Sequence, residues 1–152
     1  MADYKEYIVR VCVYPKRTEW YQNDQLHRED GPAVEFANGE KYWYQNGVLH
    51  REDGPASEWS GNKSWYQKGE RHREDGPAVE EANGTKAWYQ NGLLHREDGP
   101  ACEYANGKKC WYIKGKKLSE QEFKNRNKKE FSMDEIAKAL GVDVSELKIK
   151  KD

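Results

Sequence analysis

Over most of its length the chain shows no helical spacing of apolar residues. They fall instead in short alternating runs, broken by Gly and Asn, and the runs recur. Residues 6–15, "EYIVRVCVYP", place Ile8, Val9, Val11, Cys12 and Val13 in loose alternation and stop at Pro15, the signature of an edge strand that caps the first of the recurring runs. Trp-Tyr pairs then begin at Trp20, Trp43, Trp65, Trp88 and Trp111, at intervals of 23, 22, 23 and 23 residues. A period in this range predicts a repeat array, in which each unit buries its apolar face only against its neighbours.

Each unit carries two turn signals. One is Asn-Gly at 38–39, 83–84 and 106–107, with Gly-Asn at 61–62 in the shorter second copy. The other is Asn46-Gly47 and Asn91-Gly92, replaced elsewhere by Asn23-Asp24, Lys68-Gly69 and Lys114-Gly115. Asn-Gly suits a two-residue turn with positive φ at both positions. The runs between, such as "AVEF" and "KYWYQ", favour strands. Asp30-Gly31-Pro32 marks a corner, since Pro has no N–H for a central ladder.

The expected unit is therefore one β-hairpin, with Phe36 opposite Lys41 and Val34 opposite Trp43. That register puts Val34, Phe36 and Trp43 on one face and Ala33, Glu35, Tyr42 and Tyr44 on the other. Trp43 and its copies would then pack as core against the small residue opposite (Val34, Ser57, Val79, Cys102). The expected fold class is mainly β: a single-layer antiparallel hairpin array over 18–118, behind a capping strand at 1–17, advancing roughly 10 Å per unit.

The pattern changes after Lys117. Ser119 with Glu122 and Ser132 with Glu135 form capping-box signals. Met133, Ile136, Ala137 and Leu140 lie one helical stripe apart, and Gly141 follows as the stop. A small α-helical cap over 119–152 is expected, with residues 142–152 open between strand and helix.

Composition sharpens this picture. Charged residues make up 35% of the 152 positions and hydrophobic ones 36%. Such polarity would suggest disorder, were it not for six Trp and ten Tyr, each able to bury a large area. A net charge of −1 removes any global attraction for nucleic acid. No stretch approaches the length of a membrane span or resembles a signal peptide, so a soluble, cytoplasmic protein is expected. Three cysteines, Cys12, Cys102 and Cys110, show no metal spacing. They read as reduced thiols, with Cys102 and Cys110 on opposite faces of the sheet.

The segment "EFANGEKYWYQNGVLHREDGPA" (35–56) resembles the MORN repeat, with its apolar residue, Gly-containing turn, strand, second Asn-Gly and "LH". The similarity spans about residues 18–118. "REDGP" replaces the usual Gly-X-Gly, and "WYQ" the usual aromatic-Glu-Gly. It is closest in kind to MORN-like arrays of bacterial and phage proteins, antitoxin-like ones included. The resemblance implies a twisted, grooved sheet and a binding role; the partner expected from the aromatic groove and the variable columns is a protein.

The heptapeptide "HREDGPA" occurs four times, at 27–33, 50–56, 72–78 and 95–101. Catalysis needs one constellation in one cleft with distinct environments. Four equivalent copies instead suggest structural joints, with Asp30 and its copies capping the Gly-Pro corner and Arg28 and its copies reaching Glu35, Glu58, Glu80 and Glu103. No catalytic residue, cofactor or metal ligand set is expected. Recognition should sit where copies differ: Phe36, Trp59, Glu81 and Tyr104 in one column, Glu19, Tyr42, Ser64, Ala87 and Cys110 in a second, and Gln25, Val48, Glu70 and Leu93 in a third. The candidate partner-binding residues are Phe36, Tyr42, Trp59 and Tyr104, joined by Tyr44, Tyr66 and Tyr89.

An alternative lies in the C-terminal segment. "IAKALGVDVSEL" (136–147) is similar to the helix-turn-helix of small DNA-binding regulators. Lys124, Arg126, Lys128, Lys129, Lys148, Lys150 and Lys151 would then face phosphates. The same apolar stripe serves equally for a homodimer through this segment, or for docking on the sheet.

Overall fold

The computed structural model describes residues 8–127 and 131–147. The chain forms two compact units, 1–120 and 121–152. The first is an antiparallel array. Strand β1 (Val9–Tyr14) pairs with β2 (Arg17–Gln22), and the sheet continues through Val34–Phe36, Lys41–Tyr42, Ser57–Trp59, Asn62–Ser64, Val79–Glu80, Lys86–Ala87, Cys102–Glu103, Lys109–Ile113 and Lys116–Leu118. With Gln25–Leu26 joined to β2, this is a 12-stranded sheet.

The unit holds two hairpins rather than the expected one. The second turn of each period closes a two-stranded arm that leaves the main sheet, as in Tyr44–Gln45 with Val48–Leu49. Arms at Tyr66–Gln67 with Glu70–Arg71 and at Tyr89–Gln90 with Leu93–Leu94 repeat the device. Positive φ at Asn46 (50°) and Gly47 (77°) gives the expected two-residue turn. Successive arms stack: Gly47 donates its N–H to Leu26 O at 2.9 Å, and Gly69 to Leu49 O at 2.8 Å.

The first turn differs from expectation. Only Gly39 of the Asn38-Gly39 pair has positive φ (91°), and Phe36 donates its N–H to Glu40 O at 2.9 Å. The loop therefore holds three residues, Ala37 to Gly39, a type I turn closed by a left-handed glycine. The pairing becomes Val34 opposite Tyr42 and Glu35 opposite Lys41. A slip of one residue moves every side chain of the second strand to the other face. Trp43 thus shares a face with Ala33 and Glu35, while Tyr42 joins Val34 and Phe36. The shorter second copy loses its residue inside the loop. Ser60 and Gly61, with φ of 48° and 81°, form a two-residue turn, and Ser57 still faces Ser64.

The corrected register lays out continuous rows across the sheet. On one face Trp and Ala alternate: Trp20, Ala33, Trp43, Ala56, Trp65, Ala78, Trp88, Ala101, Trp111. Trp20 donates its N–H to Ala33 O and Trp43 to Ala56 O, each at 2.8 Å. The four alanines are fully buried, at 0% exposure, because only a methyl fits between neighbouring indoles. The small partners of the Trp column are these alanines, not Val34, Ser57, Val79 and Cys102. Beside them runs a row of alternating charge, Glu35, Lys41, Glu58, Lys63, Glu80, Lys86, Glu103, Lys109, with each residue opposite its counter-charges.

The opposite face carries a buried row that includes Glu19, Val34, Ser57, Ser64, Cys102 and Cys110. Cys102 stands directly across from Cys110, so the two thiols share a face. Both are free, and burial raises the Cys102 thiol above its ordinary pKa, with Cys110 adding to the shift.

At the boundary of the second unit, α1 (Glu120–Asn125) begins immediately after Ser119, and α2 (Met133–Leu140) has both halves of the Ser132–Glu135 capping box. Gly141 ends α2 in the left-handed conformation (φ 68°). Within the stripe Ala137 is buried and Leu140 exposed. Residues 144–146 form a single 3-10 turn, and residues 148–152 lie outside the described residues.

Candidate functional site

The heptapeptide is the joint between units, and each residue type has a place in it. Arg51 lays its guanidinium over the Trp43 ring, Cζ 4.1 Å from the centroid. Arg28, Arg73 and Arg96 cover Trp20, Trp65 and Trp88 at 4.2, 4.0 and 3.9 Å. Arg51 Nε donates to Asp53 Oδ1 at 2.8 Å and Nη1 to Pro55 O at 3.3 Å. The Asp expected to cap the corner is turned onto this Arg. The hydrogen bond from Arg, first, and its charge hold the carboxyls of Asp30, Asp53 and Asp75 below the ordinary value; at Asp98 the same hydrogen bond leads.

The third Arg contact reaches Glu58, Glu80 and Glu103, at 3.5, 3.1 and 3.0 Å. In the first unit Glu35 pairs with Lys41 at 3.5 Å, and among the ion pairs of the described residues none joins it to Arg28. The glycine leaves room for the fold-back. A Cβ on Gly54 would stand 2.9 Å from Arg51 Cζ.

The histidine fastens the next unit. His50 Nδ1 accepts the backbone N–H of Lys68 at 3.0 Å, and His27, His72 and His95 accept those of Asn46, Asn91 and Lys114 at 3.0–3.1 Å. Arg51 also donates its backbone N–H to Tyr66 O at 3.1 Å. Between consecutive heptapeptides lie three equivalent open clefts of about 670, 510 and 710 Å³, each with Trp, His and Arg of one unit facing Arg and Asp of the unit before. Their Arg and Asp side chains are paired with one another, and they are three copies rather than one tuned centre. Among the described residues no group of His, Cys, Asp or Glu is placed to hold a metal.

All seven candidate partner-binding residues fall on the other face. Phe36, Trp59 and Tyr104 occupy one row, each opposite the turn-proximal residue of its hairpin. Trp59 is 47% exposed and Tyr104 42%. Glu81 interrupts them, as the sequence implies. Tyr42 lies on the buried row, its ring 6.0 Å from that of Phe36, edge to face. On its far side runs the tyrosine column. Burial raises the Tyr44 phenol above its usual pKa, with Tyr66 contributing. Tyr66 Oη accepts from Arg71 Nε at 3.2 Å, and the same guanidinium stands 5.3 Å from the Tyr89 ring. At the first unit Tyr21 Oη donates to Glu19 Oε2 at 2.7 Å, which pushes the phenol up to about 12.

Two aromatic ridges thus flank a row that begins with Glu19, Val34 and Tyr42 and continues in small side chains from Ser57 to Cys110. Sequence reasoning missed Tyr14, which is 43% exposed and extends the outer ridge. Its place comes from the Pro15-Lys16 turn, which sets Tyr14 opposite Arg17, itself opposite Phe36. It also missed Arg71, which stands in the column held by Leu26, Leu49 and Leu94 in three other units and by Lys117 in the last.

Two of the nucleic-acid candidates, Lys124 and Arg126, lie among the described residues. Lys124 sits in the last turn of α1, and Arg126 donates Nη1 to Phe123 O at 2.6 Å with its Cζ 3.8 Å over the Phe123 ring. Lys128, Lys129, Lys148, Lys150 and Lys151 lie outside the described residues. No described helix is long and apolar enough to cross a membrane. No family model, curated protein or solved structure matches the chain significantly.

Proposed function

We propose that this chain is a MORN-like, non-enzymatic protein-binding repeat module. It acts in the bacterial or phage-infected cytoplasm by stoichiometric occupation of one protein partner, in the manner of an inhibitor or antitoxin-like factor. One observation carries the reading. The repeated heptapeptide is spent on internal joints over the Trp-Ala face, whereas the outer row of the open aromatic face, beside the constant tyrosine column, differs from unit to unit. Large aromatic side chains held by a rigid sheet supply contact area at little entropic cost. The row of Tyr14, Phe36, Trp59 and Tyr104, broken by Glu81, is a pattern that one partner matches and others do not.

The test is retention of a host protein by the immobilised full chain, compared with a Trp59→Ala/Tyr104→Ala double variant. One protein held at a fixed molar ratio by the native chain and lost from the variant is the expected result, with near-ultraviolet circular dichroism unchanged. Equal retention by both refutes the use of this face.

A further inference from the structure

We propose that β1 is a second, independent interface, through which two copies of this chain pair edge to edge about a two-fold axis at Val11. The ladder with β2 fixes which groups are free. Asn23 donates its N–H to Ile8 O at 3.0 Å, so residue 8 and, by alternation, residues 10, 12 and 14 spend their backbone groups on β2. Val9, Val11 and Val13 therefore point N–H and C=O outward along the end of the sheet. β1 has no pairing neighbour on that side among the described residues.

The strand is self-complementary. Centred on Val11, Val9 of one copy faces Val13 of the other, and Val11 faces its own equivalent. All three are exposed, at 68%, 49% and 78%. On the opposite face Arg10 meets Cys12, and Ile8 meets Tyr14, so no like charges oppose. The one charge on β1, Arg10, is already turned onto Asp24 at 3.3 Å. Three narrow pairs, each exchanging two backbone bonds, join the strands. Because a two-fold axis normal to the sheet preserves faces, Val11 meets Val11 in line with the Trp-Ala rows of both copies.

The two ends of the sheet differ in a way that favours this occupant. The last strand, Lys116–Leu118, is three residues long and carries Lys116 and Lys117. Short length and lysines blunt an edge. β1 has six residues, no proline, no lysine and β-branched side chains at every outward position. One open and one blunted edge give an isologous dimer that stops at two copies, not a fibre.

Sedimentation equilibrium of the full chain over a wide concentration range tests this. The expected result is reversible association to twice the 17.8 kDa chain mass. Val11→Lys places two ammonium groups face to face on the axis and should weaken association at least tenfold. Val11→Pro should do the same by removing an outward N–H while sparing the bonds to β2. Either variant, checked for intact near-ultraviolet circular dichroism, suffices. A native chain that stays monomeric overturns the proposal. So does a dimer that both variants leave unweakened, and so does one that persists in Val11→Lys but is lost in Leu140→Glu, which would put the contact on α2.

Discussion

Arg73 roofs Trp65. Its guanidinium carbon lies 4.0 Å from the ring centroid while Nε holds Asp75 at 2.8 Å and Nη1 holds Pro77 O at 3.2 Å and Glu80 at 3.1 Å. One planar cation therefore ties a loop, a sheet strand and an indole together. Lysine has neither the fork nor the flat face. Arg73→Lys should destabilise the fold by about 1–2 kcal/mol and Arg73→Ala by about 2–3 kcal/mol, from the lost stacking and charge-assisted bonds. Urea unfolding followed by Trp fluorescence measures both.

The glycine beneath the Arg is coupled to it. A Cβ on Gly76 would stand 3.1 Å from Arg73 Cζ. Gly76→Ala should cost about 1 kcal/mol in the native protein and close to nothing in an Arg73→Ala background. A double-mutant cycle in urea reads this coupling directly. Equal costs in the two backgrounds would show that the glycine serves the backbone instead.

Four Asp carboxyls, at 30, 53, 75 and 98, are held below their ordinary value by the adjoining Arg. A group whose folded pKa is depressed contributes stability above its unfolded value of about 3.9 and loses it as pH falls through the lower folded value. The urea midpoint should therefore lose this contribution below about pH 4. A variant with all four Asp changed to Asn should show a shallower acid limb and a lower midpoint at pH 7.

Much of this architecture was legible in the residues. The period, the two turns per unit, the capping strand, the α2 boundaries and the strip of Phe36, Trp59 and Tyr104 all arise from local chemistry. The register did not, because Asn38-Gly39 reads equally as a two-residue turn or as the end of a three-residue loop. Only the pairing of Val34 with Tyr42 decides between them. That single residue sent Trp43 and Tyr42 to the wrong faces and separated Cys102 from Cys110. The role of His27 was hidden for a different reason. Its partner, the Asn46 N–H, lies 19 positions away in the next unit, beyond any local pattern.

The histidine contact points one way only: a residue of each unit grips the arm of the unit after it, never the one before. The array accordingly has a direction. Removing a unit would leave the imidazole of the one before it without its N–H donor, and the progression of joints runs only towards the C-terminus. The final module has Leu118 where its predecessors have histidine, so the progression ends there by composition.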